Sequence, residues 1–168
     1  MKTKLFSNTL YKDERGYFIE TYKKENFKID FVQDNFSLSK KGVIRGLHYQ
    51  LKKPQTKLLS VLKGKIFDVI VDVRKKSNDF GKIFTFILDE KHNNQLLIPR
   101  GFAHGFQCLS LNALISYKCD NYYYPDDQYG INYNDKDLKI KWPAQAPIVS
   151  MKDRKNLNLK DFKKKYLK

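Results

Sequence analysis

Short runs that alternate apolar with polar residues recur along the chain, each closed by turn-forming residues. The clearest are "GYFIETY" (16–22), "GVIRGLHYQ" (42–50), "TKLLSVL" (56–62), "KIFDVIVDVR" (65–74), "KIFTFILD" (82–89), "NQLLIP" (94–99), "FAHGFQCLS" (102–110) and "ALISYKC" (113–119). A period of two predicts strands. Lys63-Gly64 predicts a tight hairpin turn and "SNDFG" (77–81) a looser one. Helical spacing is confined to "KKENFKI" (23–29) and "NLKDFKKKYL" (158–167). Many short strands with few helices predict an all-β sandwich or barrel, organised as one domain over residues 1–168.

The strand "KIFDVIVDV" is the most informative. Phe67, Val69, Val71 and Val73 form a wholly apolar face, suited to packing on another sheet or a subunit. Ile66, Asp68, Ile70 and Asp72 form a mixed face, which suits a barrel interior that holds a polar site.

Composition adds limits. The 168 residues are 41% hydrophobic with twelve Phe and eleven Tyr, a globular balance. No apolar run approaches the roughly 20 residues of a membrane span, and the N-terminal apolar stretch is short and interrupted, so a cytoplasmic protein is expected. Cys108 and Cys119 lack metal-type spacing and are expected as reduced, partly buried thiols. The net charge of +15 favours anionic partners. Its lysines lie in scattered short runs without any nucleic-acid-binding signature, so a small anionic ligand is expected rather than nucleic acid.

His48 and His104 both lie in glycine-flanked apolar runs. "PRGFAH" (99–104) has the proline-glycine-histidine spacing of the second motif of cupins, which are small jelly-roll β-barrels. Metal-binding cupins carry H-x-H in their first motif. This chain reads "HYQ" (48–50) there, too few ligands for an ordinary metal site. Free imidazoles in a pocket point instead to acid–base chemistry. His92, in "DEKHNNQ", is expected in an exposed loop.

Further stretches follow in order: "DERGYFIETY", "FVQDNFS", "GVIRGLHYQ", Lys57 nine residues after His48, "GKIFDVIVDVR", "LLIPRGFAHGF", "YKCDNYY", "GINYNDKDLKIKWP" and "SMKD". Together, over about residues 13–153, they resemble the dTDP-4-dehydrorhamnose 3,5-epimerase family, metal-free cupins that act on nucleotide-linked 4-keto sugars. The resemblance implies a jelly-roll barrel, no metal and no cofactor, and a nucleotide-diphosphate sugar as substrate. It also implies a homodimer in which the N-terminal strand is exchanged.

The resemblance also assigns residues. His48 matches the base that removes a proton next to the ketone, and Asp153 the carboxylate that orients it. Lys57 matches a cation at the C4 oxygen, where enolate charge develops. His104 matches a second imidazole of the pocket wall, and Tyr117 the acid on the opposite face. Arg45 matches a diphosphate-binding arginine, and a bulge at Gly46 would bring it to the same side as His48. Asp68 is expected behind His48 or Lys57. Arg15, Phe18 and Glu20 match nucleotide contacts made across the dimer, and Gln33 and Tyr122 further nucleotide contacts.

The chain departs from the family at "NFS" (35–37), where relatives have "NHS". The nucleotide is left open between dTDP and GDP, and the sugar between a hexose and a heptose of a surface polysaccharide. A single-centre epimerase, a 3,4-ketoisomerase and a non-catalytic sugar- or nucleotide-binding barrel are the alternatives.

Overall fold

Thirteen strands and two helices account for most of residues 3–167, the part of the chain that this computed structural model describes. In chain order they are β1 (Lys4–Ser7), β2 (Leu10–Asp13), β3 (Gly16–Ile19), β4 (Gln33–Lys40), β5 (Val43–Gln50), β6 (Lys57–Lys63) and β7 (Lys65–Asp72). They continue with β8 (Ile83–Asp89), β9 (Asn94–Ile98), β10 (Phe102–Cys108), β11 (Asn112–Cys119), β12 (Gln128–Gly130) and β13 (Ile148–Val149), then α1 (Met151–Arg154) and α2 (Leu159–Tyr166). One sheet runs β1-β9-β6-β11-β4 and the other β12-β5-β10-β7-β8, with β13 beside β5; β2 and β3 form a separate hairpin.

The two large sheets face each other. Leu59, Leu96 and Ile115 of the first pack with Ile66, Ile70, Leu88 and Phe106 of the second in one buried cluster. This is the all-β jelly-roll sandwich expected from the strand pattern. The mixed face of β7 is indeed interior, since Ile66 and Ile70 belong to that cluster and Asp68 is fully buried.

Three expectations need correction. Lys63-Gly64 is not a hairpin turn: β6 and β7 belong to different sheets, and Gly64 carries the chain across between them at φ +83°. A Cβ on Gly64 would lie 2.2 Å from the Asn112 carbonyl oxygen, so the crossing needs glycine. The apolar face of Phe67, Val69, Val71 and Val73 meets the chain's own C-terminal part rather than a facing sheet or subunit. It packs with Leu138, Leu159 and Phe162, and the Phe67 and Trp142 rings meet edge-on at 5.8 Å. Finally, the stretch 23–29 makes only a 3₁₀ turn at Lys24–Asn26.

The second helix is where its spacing predicts. Asn158 caps it by accepting from the Asp161 N–H, and Leu159, Phe162 and Tyr166 point one way onto the sheet. α1 was not anticipated. Ser150 caps it by accepting from the Asp153 N–H, which turns Asp153 inward beneath β5.

A bulge in β5 completes the frame of the site. On β10, His104 pairs with His48 and Phe106 with Arg45, so Gly105 alone opposes Gly46 and Leu47. Gly46 has φ +129°, and a Cβ there would fall 2.5 Å from the Gly105 Cα. Leu47 turns out to the second core, while Arg45 and His48 both reach the space between the sheets.

Candidate active site

A cavity of about 400 Å³ opens between the two sheets. β5 and β10 supply Arg45, His48 and His104 from one side; β4, β6 and β11 supply Gln33, Lys57, Tyr117 and Cys119 from the other. Phe102, Phe106 and Ile115 add apolar wall.

Each imidazole is backed by a buried carboxylate. His48 Nε2 lies 2.7 Å from Asp153 Oδ1, and the Gly46 N–H donates to Asp153 Oδ2 at 3.3 Å. An ionised carboxylate only accepts, so Nε2 carries the proton and Nδ1 keeps its lone pair. Burial works to raise the Asp153 pKa, but the hydrogen bond and charge of His48, with the Gly46 and Ser150 groups, hold it below the ordinary carboxylate value. Asp153 is therefore an anion at neutral pH, able to stabilise an imidazolium. His104 repeats the arrangement, with Nε2 2.8 Å from Asp68 Oδ2. Asp68 thus backs His104 rather than His48, and its charge also reaches Lys57.

Lys57 and Cys119 are paired across β6 and β11, so their side chains enter the cavity side by side. Burial pulls the Lys57 pKa below its ordinary 10.5, with Cys119 and Asp68 working the other way. Burial pushes the Cys119 thiol up to about 11, so it stays neutral. Tyr117, two residues back on the same face of β11, has its ring centre 5.9 Å from the Lys57 ammonium. Burial raises the phenol pKa above 10.0, so it holds its proton at neutral pH. One wall therefore presents a basic nitrogen, and the other a protonated phenol and the amino group of Lys57.

Arg45 stands at the exposed mouth, where Nε donates to Ser39 Oγ at 2.9 Å and a terminal nitrogen to the Leu38 carbonyl at 3.1 Å. These bonds aim the guanidinium while leaving donors for an anion. Of the other sequence candidates, Gln33 lines the cavity and Tyr122 does not; its neighbour Tyr123 does. Arg15, Phe18 and Glu20 lie away from the cavity of their own chain. Arg15 pairs with Asp13, and Phe18 stands 65% exposed on the β2–β3 hairpin. His92 is exposed and bonded to Asp89, remote from the site. Cys108 and Cys119 are free buried thiols. Among the described residues, no cluster of His, Cys, Asp or Glu is arranged to hold a metal ion, and no helix is long and apolar enough to cross a membrane.

Cys119, Tyr123, Gln50 and Gln128 also line the cavity without having been singled out in the sequence. For Cys119 the signal was available, because it follows Tyr117 by two on one strand. For Tyr123 none was, because it lies in an irregular segment.

Comparison with known proteins agrees with this geometry. The family model described as dTDP-4-dehydrorhamnose 3,5-epimerase matches residues 2–161. A dTDP-4-dehydrorhamnose 3,5-epimerase of Shigella flexneri is 46% identical over 156 residues, covering 89% of this chain and 86% of the relative. The crystal structure of the Bacillus anthracis enzyme of that name, with TDP and PPi bound, is 45% identical, covers 93% of both chains and superposes with a TM-score of 0.90. The Legionella pneumophila dTDP-6-deoxy-D-glucose-3,5-epimerase, in complex with dTDP-4-keto-L-rhamnose, is 44% identical, covers 94% of this chain and 88% of its own, and gives a TM-score of 0.90. With the family model matching nearly the whole of this chain and relatives this similar, the chain belongs to the dTDP-4-dehydrorhamnose 3,5-epimerase family.

Proposed function

We propose that the protein inverts C3 and C5 of a dTDP-linked 4-keto-6-deoxyhexose. The observation that carries this reading is the placement of His48, bound to Asp153, and Tyr117 on opposite sheets around one cavity. A ring held between them meets a base on one face and an acid on the other.

In each half-reaction His48 Nδ1 takes the proton α to the ketone, and the electron pair moves to the C4 oxygen as an enolate. Lys57 stabilises that oxyanion. Tyr117 then delivers its proton to the opposite face of the carbon, and the ketone re-forms. The imidazolium and phenolate return to their starting states through solvent, so the net change is one inverted centre. Asp153 keeps His48 in the productive tautomer. Asp68, bonded to His104, acts by its charge to keep Lys57 protonated against burial.

Arg45, with Gln33, would hold the diphosphate and nucleotide at the mouth. Arg15, Phe18 and Glu20, with Tyr122, would complete the nucleotide site in a homodimer, each β2–β3 hairpin reaching the cavity of the other copy. The exposed rings of Tyr11, Tyr17 and Phe18 on that hairpin, and of Phe36 beside Leu38 on the edge strand β4, support such an assembly. The names of the relatives favour dTDP over GDP. Residues 1–168 would form one jelly-roll domain. Two free thiols suit the reducing cytoplasm.

The test is incubation with the dTDP-4-keto-6-deoxy sugar in deuterated water, followed by mass spectrometry. Two deuterons per sugar are expected. One would mean a single-centre epimerase, and none a binding barrel.

A further inference from the structure

The irregular segment 120–127 leaves β11 in one sheet and enters β12 in the other, so it spans the cavity mouth. Such a crossing would ordinarily be loose. Here it is held by Gln50, which ends β5 two residues beyond His48 and is 6% exposed. Gln50 Nε2 donates to the Lys53 carbonyl at 2.7 Å and to the Tyr122 carbonyl at 3.2 Å, and Oε1 accepts from the Tyr124 N–H at 3.0 Å. Those bonds bracket Tyr123. The Tyr123 N–H donates to Gln33 Oε1 at 2.8 Å, and its hydroxyl donates to Gln128 Oε1 at 2.5 Å. Gln33, Tyr123 and Gln128 all line the cavity.

We propose that Gln50 is a positioning residue that clamps the segment 122–124 and so presets Tyr123 against the bound nucleotide sugar. The proposal rests on the epimerase reading for the identity of the ligand. A carboxamide suits the task because it donates and accepts at once and does not ionise. A preset wall removes an ordering cost from binding, and that cost is the same for substrate and transition state. Its loss therefore falls on affinity and KM, with kcat spared. A residue needed only for the fold would lower the amount of active enzyme without this split.

The experiment measures dTDP affinity by calorimetry and KM and kcat for the keto sugar, in wild type, Gln50→Leu, Tyr123→Ala and the double variant. Each single change is expected to weaken dTDP binding and raise KM by roughly tenfold, with kcat within about threefold. The double variant is expected to be little worse than the weaker single, because the clamp acts through the tyrosine. Should Gln50→Leu not fold, Gln50→Asn keeps the amide but is too short to reach and is expected to give the same split. Multiplicative losses in the double variant, a fall in kcat with dTDP affinity intact, or a Tyr123→Ala variant with unchanged affinity would each overturn the clamp. A wild type that binds dTDP but exchanges no sugar protons would count against the epimerase reading and leave the clamp measurable.

Discussion

Asp153→Asn changes almost no volume and isolates the role of the carboxylate. In the wild type Asp153 can only accept, which fixes the His48 proton on Nε2 and leaves Nδ1 free. Asparagine can turn its amide toward the ring and donate to Nε2, which places the proton on Nδ1 and removes the base. Two losses then combine. A hydrogen bond to a charged group contributes about 1.5–3 kcal/mol, so a less stable imidazolium alone slows the step roughly 10- to 100-fold. Loss of general-base catalysis is worth about 10²- to 10⁴-fold. The expected result is a fall in kcat of at least about 10²-fold, with KM nearly unchanged because Asp153 lies behind His48. Deuterium exchange at C3 and C5 should fall in parallel, since one base serves both. Thermal unfolding checks that the Gly46 and Ser150 contacts survive. A folded Asp153→Asn enzyme with less than about tenfold loss, or with one carbon still exchanging at the wild-type rate, would refute the assignment of the base.

Three further outcomes follow from the same structure. Because burial lowers the Lys57 pKa below 10.5, its charge is lost as pH rises through that lowered value. The alkaline limb of the kcat/KM profile should therefore lie below pH 10.5 and move upward in Lys57→Arg, which a pH-rate series reads. Tyr117→Phe should leave proton removal by His48 measurable while product formation falls by about 10²-fold or more, seen as exchange without inversion by NMR. Phe162→Ala, at a fully buried position under the six-stranded sheet, should cost about 3–5 kcal/mol in denaturant unfolding and leave dTDP binding intact at low temperature.

The sequence made some parts of this molecule plain and concealed others. Strands such as β7 and β10 carry strong apolar patterns because both of their faces are buried, by the facing sheet and by the C-terminal segment. The strand β4 was missed because its pattern is inverted. Gln33, Asn35 and Ser37 line the cavity and are polar, while Phe36 at its rim and Leu38 outside it are 69% and 63% exposed. A strand that lines a polar site and carries an exposed apolar face does not look half-buried. Local sequence also cannot reveal that β6 and β7 part company at Gly64, since sheet membership is set by pairing with β9, β11, β8 and β10. Arg45 and His48 were legible as a pair only through a bulge at Gly46, which the pairing with β10 displays. Asp153, in a lysine-rich stretch, looked like a surface acid by itself, and only the cap at Ser150 turns it under β5. Tyr123 rather than Tyr122 faces the cavity because glutamines from two strands fix the backbone around it, a fact with no local signature.

The most direct measurement is a crystal structure of the protein with a dTDP-4-keto sugar bound. It should hold the ring between His48 Nδ1 and the Tyr117 hydroxyl, one on each face, with the C4 oxygen toward Lys57. A ring that meets both groups on the same face, or that lies outside the space between the two sheets, would contradict the account.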